Sequence, residues 1–214
     1  MSHKSEGIQL KKEFDFKKIT TPTLLYLLKN EIPFPKMFLL KCKLSLGKFQ
    51  STIDPKFPAD LVKFITLPLW VYINLKKQLG EQKAFEIMRI ALLTGGVAKQ
   101  NILFDPINKP RNFENFIEQE LQINKTGSTK WNTLEIITRS QDKFEIIITK
   151  CLYHQLTTSL GIPEATQLIC QVDNGVFNSY LPEEIVFHRN GLKRRIADGC
   201  SECHFVWEYR RRQA

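Results

Sequence analysis

The chain has 214 residues, of which 43% are hydrophobic and 11% aromatic, and it carries a formal net charge of +9. This length and composition suffice for one sizeable folded domain and argue against a disordered chain. No apolar run approaches the roughly 18 to 20 residues that span a bilayer, and the N-terminus lacks the apolar region of a secretory signal. We therefore expect a soluble cytoplasmic protein.

Residues 1–65 are predicted to form a basic N-terminal extension that packs on the main body. Prolines punctuate this part of the chain as far as Pro58. A helix is expected to begin at Pro22, with Thr21 as its cap, because proline is favoured at the first helical position. Beyond this helix we expect an irregular, lasso-like segment.

The next part of the chain has helical periodicity. Two helices are predicted on either side of Gly80, and the second carries an apolar stripe from Ala84 to Ala91. Gly95 and Gly96 are expected to end that helix. The sequence "NFENFIEQELQ" predicts a further helix.

The pattern then changes to a period typical of strands. "WNTLEIITRSQDKFEIIITKC" predicts a hairpin that turns at 140–143. A short helix ending at Gly161 and a longer one starting at Pro163 and Glu164 follow. "EIVFHRN", "LKRRIADG" and "CHFVWEYR" predict two or three more strands. The fold class is therefore α+β, with N-terminal helices packed on a C-terminal, mostly antiparallel sheet with two helices, and residues 66–214 forming a single domain.

Four short motifs in the second half occur in an order and spacing that resemble the L-2-amino-thiazoline-4-carboxylic acid hydrolase family, over roughly residues 70–207. The pattern is T-x-C at a strand end, L-G-x-P-E, C-x-x-D and a terminal G-x-x-x-C-x-F. The matching residues are Thr149 and Cys151; Leu160, Gly161, Pro163 and Glu164; Cys170 and Asp173; and Gly199, Cys203 and Phe205. The resemblance implies a hydrolase-like protein that acts on a small C–N or C–S compound of the cyclic amidine or amide type.

The chain also departs from that family. His204 stands where an acidic residue is usual, and Val206 stands where an arginine is typical. The C-terminal end is also similar to the 4-vinyl reductase domain. That similarity implies an alternative function: a module that binds a small ligand or tetrapyrrole, or senses redox state, without turnover.

Two thiols and a carboxyl group are the first candidates for chemistry. Cys151 follows a strand and begins a predicted helix, whose N-terminus favours the nucleophilic thiolate, and His154 lies three residues on, where it could take the thiol proton. The alternative is that Cys151 only fills the junction. Cys170 and Asp173 share one helix face, and burial would raise the pKa of Asp173 and suit it to acid–base work.

The C-terminal strand supplies the remaining candidates. Cys203 and Phe205 share one strand face, so Cys203 is a further candidate catalytic residue. Arg195, Lys193 and His204 are candidates for binding an anionic substrate.

No cofactor is expected. The five cysteines are an odd number and are expected to be thiols, because no secretory signal accompanies them. If a metal were present, its ligands would come from a single CxxC and two distant cysteines, a weak signal for a site. The four cysteines of that alternative are Cys151, Cys170, Cys200 and Cys203.

Lysine and arginine concentrate at 36–49 and 188–195. Such surfaces attract anions, so we expect a small anionic or heterocyclic substrate, with an acidic protein or a membrane surface as a further partner. No motif of a nucleic-acid-binding module accompanies them, and no specific nucleic-acid binding is expected. A third function is then an accessory protein that docks through its basic N-terminal extension.

Overall fold

A computed structural model of the chain describes residues 17–105, 109–189 and 195–210. Helices come first in the described residues and strands later, which confirms the predicted α+β class. The helices are α1 (Lys17–Leu28), α2 (Pro35–Gln50), α3 (Ala59–Leu79), α4 (Glu81–Leu103), α5 (Phe113–Thr126), α6 (Leu152–Ser159) and α7 (Ala165–Phe177). The strands are β1 (Thr133–Arg139), β2 (Lys143–Lys150), β3 (Ile185–His188) and β4 (Cys203–Tyr209).

The strands form one antiparallel sheet in the order β1-β2-β4-β3. The predicted hairpin is confirmed as β1 and β2, with β4 pairing along the other edge of β2. Because residues directly opposite in a sheet share a face, the pairs Phe144–Trp207, Ile146–Phe205 and Ile148–Cys203 define one inner face. These six side chains are buried and make up the sheet's share of the core.

The buried side chains form two clusters. The first joins α1 to α4 with α6 and the beginning of α7. The second joins the inner face of the sheet to α5 and to the end of α7. Helices α4 and α7 contribute to both clusters and so connect the two halves of the core.

Glycines bring α4 and α7 close together. A Cβ atom on Gly96 would lie 2.7 Å from Cγ2 of Val172, and one on Gly175 would lie 2.6 Å from Cγ2 of Val97. On each helix, a glycine therefore packs directly against a valine of the other helix. The prediction that Gly95 and Gly96 end a helix is wrong: α4 continues to Leu103, because Gly96 serves close packing rather than termination.

The N-terminal helices differ from the sequence prediction in two ways. Helix α1 begins at Lys17 and contains Pro22, so Thr21 is not its cap. The segment expected to be irregular forms the regular helix α2, which buries Phe38, Cys42 and Phe49. The predicted break at Gly80 is confirmed, since this glycine has φ 82° between α3 and α4.

We expect Gly96→Ala and Gly175→Ala each to lower the free energy of unfolding by about 1–3 kcal/mol, because the added methyl overpacks the α4–α7 contact. Denaturant titration measures this. The matched control is Gly47→Ala in α2, where an added Cβ has no atom within 4 Å; it should raise stability by up to about 1 kcal/mol, since alanine favours helix. Adding Val172→Ala to Gly96→Ala should recover part of the loss, and the absence of any recovery would contradict this packing.

Candidate functional site

Cys151 lies between the two core clusters. It is the N-cap of α6, directly after β2, and it packs against side chains of both clusters. Strand β4 brings Cys203 beside Ile148, three residues before Cys151. The sheet pairing therefore carries the C-terminal cysteine to the junction of β2 and α6.

Cys170 and Asp173, both on helix α7, lie near this junction of β2 and α6. Burial is the main cause of the raised pKa of Cys151, Cys170 and Cys203, and the charge of Asp173 adds to the rise in all three thiols. The four groups are therefore near enough to interact electrostatically. The structure thus brings together four of the residues that the sequence motifs single out. We call Cys151, Cys170, Asp173 and Cys203 the thiol–carboxylate cluster.

Arg189 directly follows β3, and its side chain forms hydrogen bonds with residues of this cluster. Its Nη2 donates to Oδ2 of Asp173 at 3.2 Å and to the carbonyl oxygen of Cys170 at 3.2 Å, while Nε donates to Oδ1 of Asn174 at 3.1 Å. The guanidinium lies 4.3 Å from the ring centroid of Phe205. Only 9% of the side chain is exposed, and its Nη1 is a buried donor without a hydrogen-bond partner in the described residues. Such an orphaned donor is costly unless a ligand completes it.

The carboxyl group of Asp173 is largely desolvated, yet part of its side chain remains accessible to solvent. Burial raises the pKa of its carboxyl group, and the positive charges of Arg189 and Arg195 oppose that rise. A quarter of the side chain nevertheless stays exposed. A carboxyl group that is desolvated and still reachable is suited to transfer protons.

The thiols are protonated at rest. Burial raises the pKa of Cys151 to about 11, although the backbone N–H groups of His154 and Tyr153 act against it. The N-terminal amides of α6 act on this pKa in the expected direction, but desolvation outweighs them. The His154 ring turns towards α7, where Nδ1 lies 3.1 Å from Oγ1 of Thr166. No hydrogen bond of the described residues joins it to Cys151.

The three candidates for binding an anion have different positions. Arg195 is near the cluster, since it acts on the pKa of Cys203, but both its Nε and Nη2 bind Asp198 at 2.7 Å. It precedes a 3-10 turn, Ile196–Asp198, so the strand predicted there is wrong for these residues. Lys193 lies outside the described residues.

His204 is not brought to the cluster. It follows Cys203 on β4, so strand alternation directs it to the opposite, outer face of the sheet. There its Nε2 lies 2.5 Å from Oε1 of Glu145. Val206 has the same parity as His204 and pairs with Glu145 in the ladder. Both departures from the motif pattern therefore fall on the face that does not carry Cys203.

The cysteines do not form a recognisable ligand set. Among residues 17–105, 109–189 and 195–210, no three His, Cys, Asp or Glu side chains form a group that could hold a metal ion. Cys200 lies in the turn before β4, where its N–H donates to the carbonyl oxygen of Arg195.

The sequence profile of the L-2-amino-thiazoline-4-carboxylic acid hydrolases matches residues 64–207. The chain belongs to this family. The match contains the whole thiol–carboxylate cluster with Arg189 and Arg195, and it begins after α2. The family thus supports a hydrolase-like function on a small thiazoline compound.

Other comparisons add little to the family assignment. No curated protein sequence matches the chain significantly. The crystal structure of an Fe(II) unliganded H-NOX protein mutant from K. algicida is similar, with 11% sequence identity and a TM-score of 0.35, over 91% of this chain and 96% of that one. At this TM-score the similarity carries no argument about fold or ligand.

Sequence reasoning did not single out two buried charged residues, Arg189 and Glu120, that interact with Asp173. Arg189 shares its strand parity with Phe187, whose ring packs on the core, and that alternation is a signal for an inward-facing arginine. Glu120 is buried on α5, where it continues the apolar stripe of Phe116 and Ile117 at helical spacing. Burial raises the pKa of Glu120 to about 8, with the charge of Asp173 adding to the rise.

We expect Glu120 to make the protein less stable as pH rises from about 5 to 8. In this range the folded state keeps the Glu120 proton while the unfolded state has released it, so the folded state binds more protons. Glu120→Gln should abolish this dependence and gain a few kcal/mol at pH 9 relative to pH 5 compared with the parent chain. Denaturant titration at both pH values measures the difference. Glu118→Gln, a change at an exposed neighbour on α5 that pairs with Lys109, is the control and should keep the parent chain's difference in stability between the two pH values. Equal pH slopes for all three proteins would contradict the prediction.

Proposed function

We propose that this chain hydrolyses a small cyclic amidine that carries a carboxylate, such as a 2-aminothiazoline carboxylate, with the thiol–carboxylate cluster as its active site. The observation that carries the proposal is the buried Arg189, which holds Asp173 and keeps one further donor, Nη1, without a partner in the described residues. The family assignment supplies the substrate class.

Arg189 is the proposed anchor for the substrate carboxylate. A guanidinium in an apolar, aromatic surrounding binds a carboxylate strongly, because little water competes for the hydrogen bonds. Phe205 and Phe187 lie against the guanidinium at 4.3 and 5.8 Å from their ring centroids and limit its movement. Arg195 is the less suitable anchor, since Asp198 already occupies its Nε and Nη2.

Cys151 is the proposed nucleophile. Its sulfur would form a bond to the amidine carbon while the thiol proton passes to Asp173, and the ring C–S or C–N bond would then break as the leaving atom takes a proton. Water would release the product from Cys151 and restore the thiol. Cys151 is preferred to Cys170 because the N–H groups of His154 and Tyr153 stabilise negative charge at its sulfur.

Two carboxyl groups would divide the proton transfers. Burial raises the pKa of Asp173, but the charges of Arg189 and Arg195 counteract that rise, so its carboxylate is suited to accept a proton. Glu120, with a pKa of about 8, keeps its proton at neutral pH and is suited to supply one. Pairs of carboxyl groups whose surroundings separate their pKa values are typical of acid–base sites.

Replacing the nucleophile or the base should abolish turnover without unfolding the protein. Cys151→Ser should lower kcat by about a thousandfold or more, and Asp173→Asn, which retains an oxygen for Arg189, by about a hundredfold or more. Product formation from 2-aminothiazoline-4-carboxylate, followed by chromatography, measures both. Cys42→Ala is the control, since Cys42 is a buried thiol on α2 outside the cluster. Unchanged turnover in both site variants would refute the mechanism, and tight binding without product in the parent chain would favour the non-catalytic ligand-binding alternative.

Substrates with and without a carboxylate distinguish a role of Arg189 in substrate binding from a general disturbance of the site. Arg189→Lys should raise KM for 2-aminothiazoline-4-carboxylate by about ten- to a hundredfold, because one charge-assisted hydrogen bond is lost. It should leave KM for 2-aminothiazoline, which has no carboxylate, nearly unchanged. Equal losses with both compounds would show that Arg189 only supports the fold or Asp173.

A further inference from the structure

A group of exposed apolar side chains lies where α1 meets α2. We call it the α1–α2 surface: Tyr26, Phe34, Met37, Leu40 and Leu44. The exposed fractions of Phe34, Tyr26 and Leu44 are 81%, 79% and 76%. Between Tyr26, Phe34 and Met37 lies an open recess of about 550 Å³. Large apolar side chains exposed together in this way mark an interaction site more often than a bare surface.

The backbone holds Phe34 in this exposed position. Phe34 lies between Pro33 and Pro35 with φ 55° and ψ 60°, and it is the only described residue other than glycine with a positive φ. A bulky residue in the left-handed region is strained. The described fold gains little burial in return, because the ring remains in solvent. Contact of the Phe34 ring with another molecule would explain why this strained, exposed conformation is kept.

Lysines surround the apolar side chains. Lys29, Lys36, Lys41, Lys43 and Lys48 are all exposed, and none forms an ion pair with a described residue. The only acidic residue from 29 to 50 is Glu31, which pairs with Lys83 of α4.

The exposed side of α2 is amphipathic along its length. At 100° per residue, Met37, Leu40 and Leu44 form one stripe, with Lys41 and Lys48 on one flank and Lys36 and Lys43 on the other. The opposite side of α2 is fixed to α3, where Phe49 stacks on Trp70 with ring centroids 4.4 Å apart. The lysine-flanked stripe is therefore presented outward by a firmly packed helix.

We propose that the α1–α2 surface docks this protein on an anionic membrane, with Phe34 and the α2 stripe entering the interface and the lysines meeting lipid headgroups. Lysine-flanked apolar helix faces bind such interfaces, and lysine stems let the charge reach the headgroups. A protein partner fits less well, since lysine is depleted in protein–protein interfaces. No helix in the described part of the chain is long and apolar enough to cross a membrane.

Sedimentation of the full chain with lipid vesicles tests this. Binding should occur with vesicles of phosphatidylcholine and 30% phosphatidylserine, weaken with salt, and be lost with phosphatidylcholine alone. Lys36→Glu with Lys43→Glu should weaken binding on the order of tenfold or more. Phe34→Asn should weaken it about tenfold by removing the ring. Since asparagine tolerates the left-handed conformation, the melting temperature should be unchanged or higher, which separates docking from folding.

Lys63→Glu with Lys125→Glu is the matched control: it makes the same charge change with exposed lysines of α3 and α5 and should retain most of the binding. An equal loss in this control would reduce the effect to net charge and overturn the proposal. Failure of the full chain to bind anionic vesicles would also overturn it. Light scattering and cross-linking would then tell whether a second copy or residues 1–16 of the same chain covers this surface.

Discussion

The contact between α4 and α7 is the constraint on which the rest of the structure depends. Each helix places a glycine against a valine of the other, so the two backbones approach more closely than ordinary side chains permit. Both helices continue from the helical cluster into the cluster that covers the sheet. The contact therefore fixes how the two halves of the core meet. It also fixes where the face of α7 that carries Cys170 and Asp173 lies relative to β4.

The charges beside this contact carry a cost in stability. Asp173 and Arg189 pair within aromatic surroundings, Arg195 and Asp198 pair nearby, and Glu120 is buried with hydrogen bonds from Asn124. Apolar residues of similar size would often serve stability better than buried ion pairs. This cost is consistent with the active site that we propose, since active sites often give up stability for shifted proton affinities.

The two faces of the sheet divide these tasks. The inner face offers Cys203, Phe205 and Trp207 to the core and the cluster. The outer face carries a separate polar network, in which Glu145 contacts both His204 and Lys143. Burial raises the pKa of Glu120 on the inner side, whereas the hydrogen bond from Lys143 is the main cause of the lowered pKa of Glu145. The pKa of one carboxyl group is thus raised and that of the other lowered, on opposite sides of the same sheet.

The sequence by itself determined the fold class, the hairpin, the break at Gly80 and the family motifs, because these depend on local periodicity, turn residues and short spacing. It also indicated Cys151, Cys170, Asp173 and Cys203, which the structure then brings together. Only the tertiary structure decided that Gly96 packs rather than ends a helix, since the reason is Val172, 76 residues further along the chain. The same holds for Arg189 and for the raised pKa of Cys151: both follow from burial by elements distant in sequence, and local pattern does not record that burial.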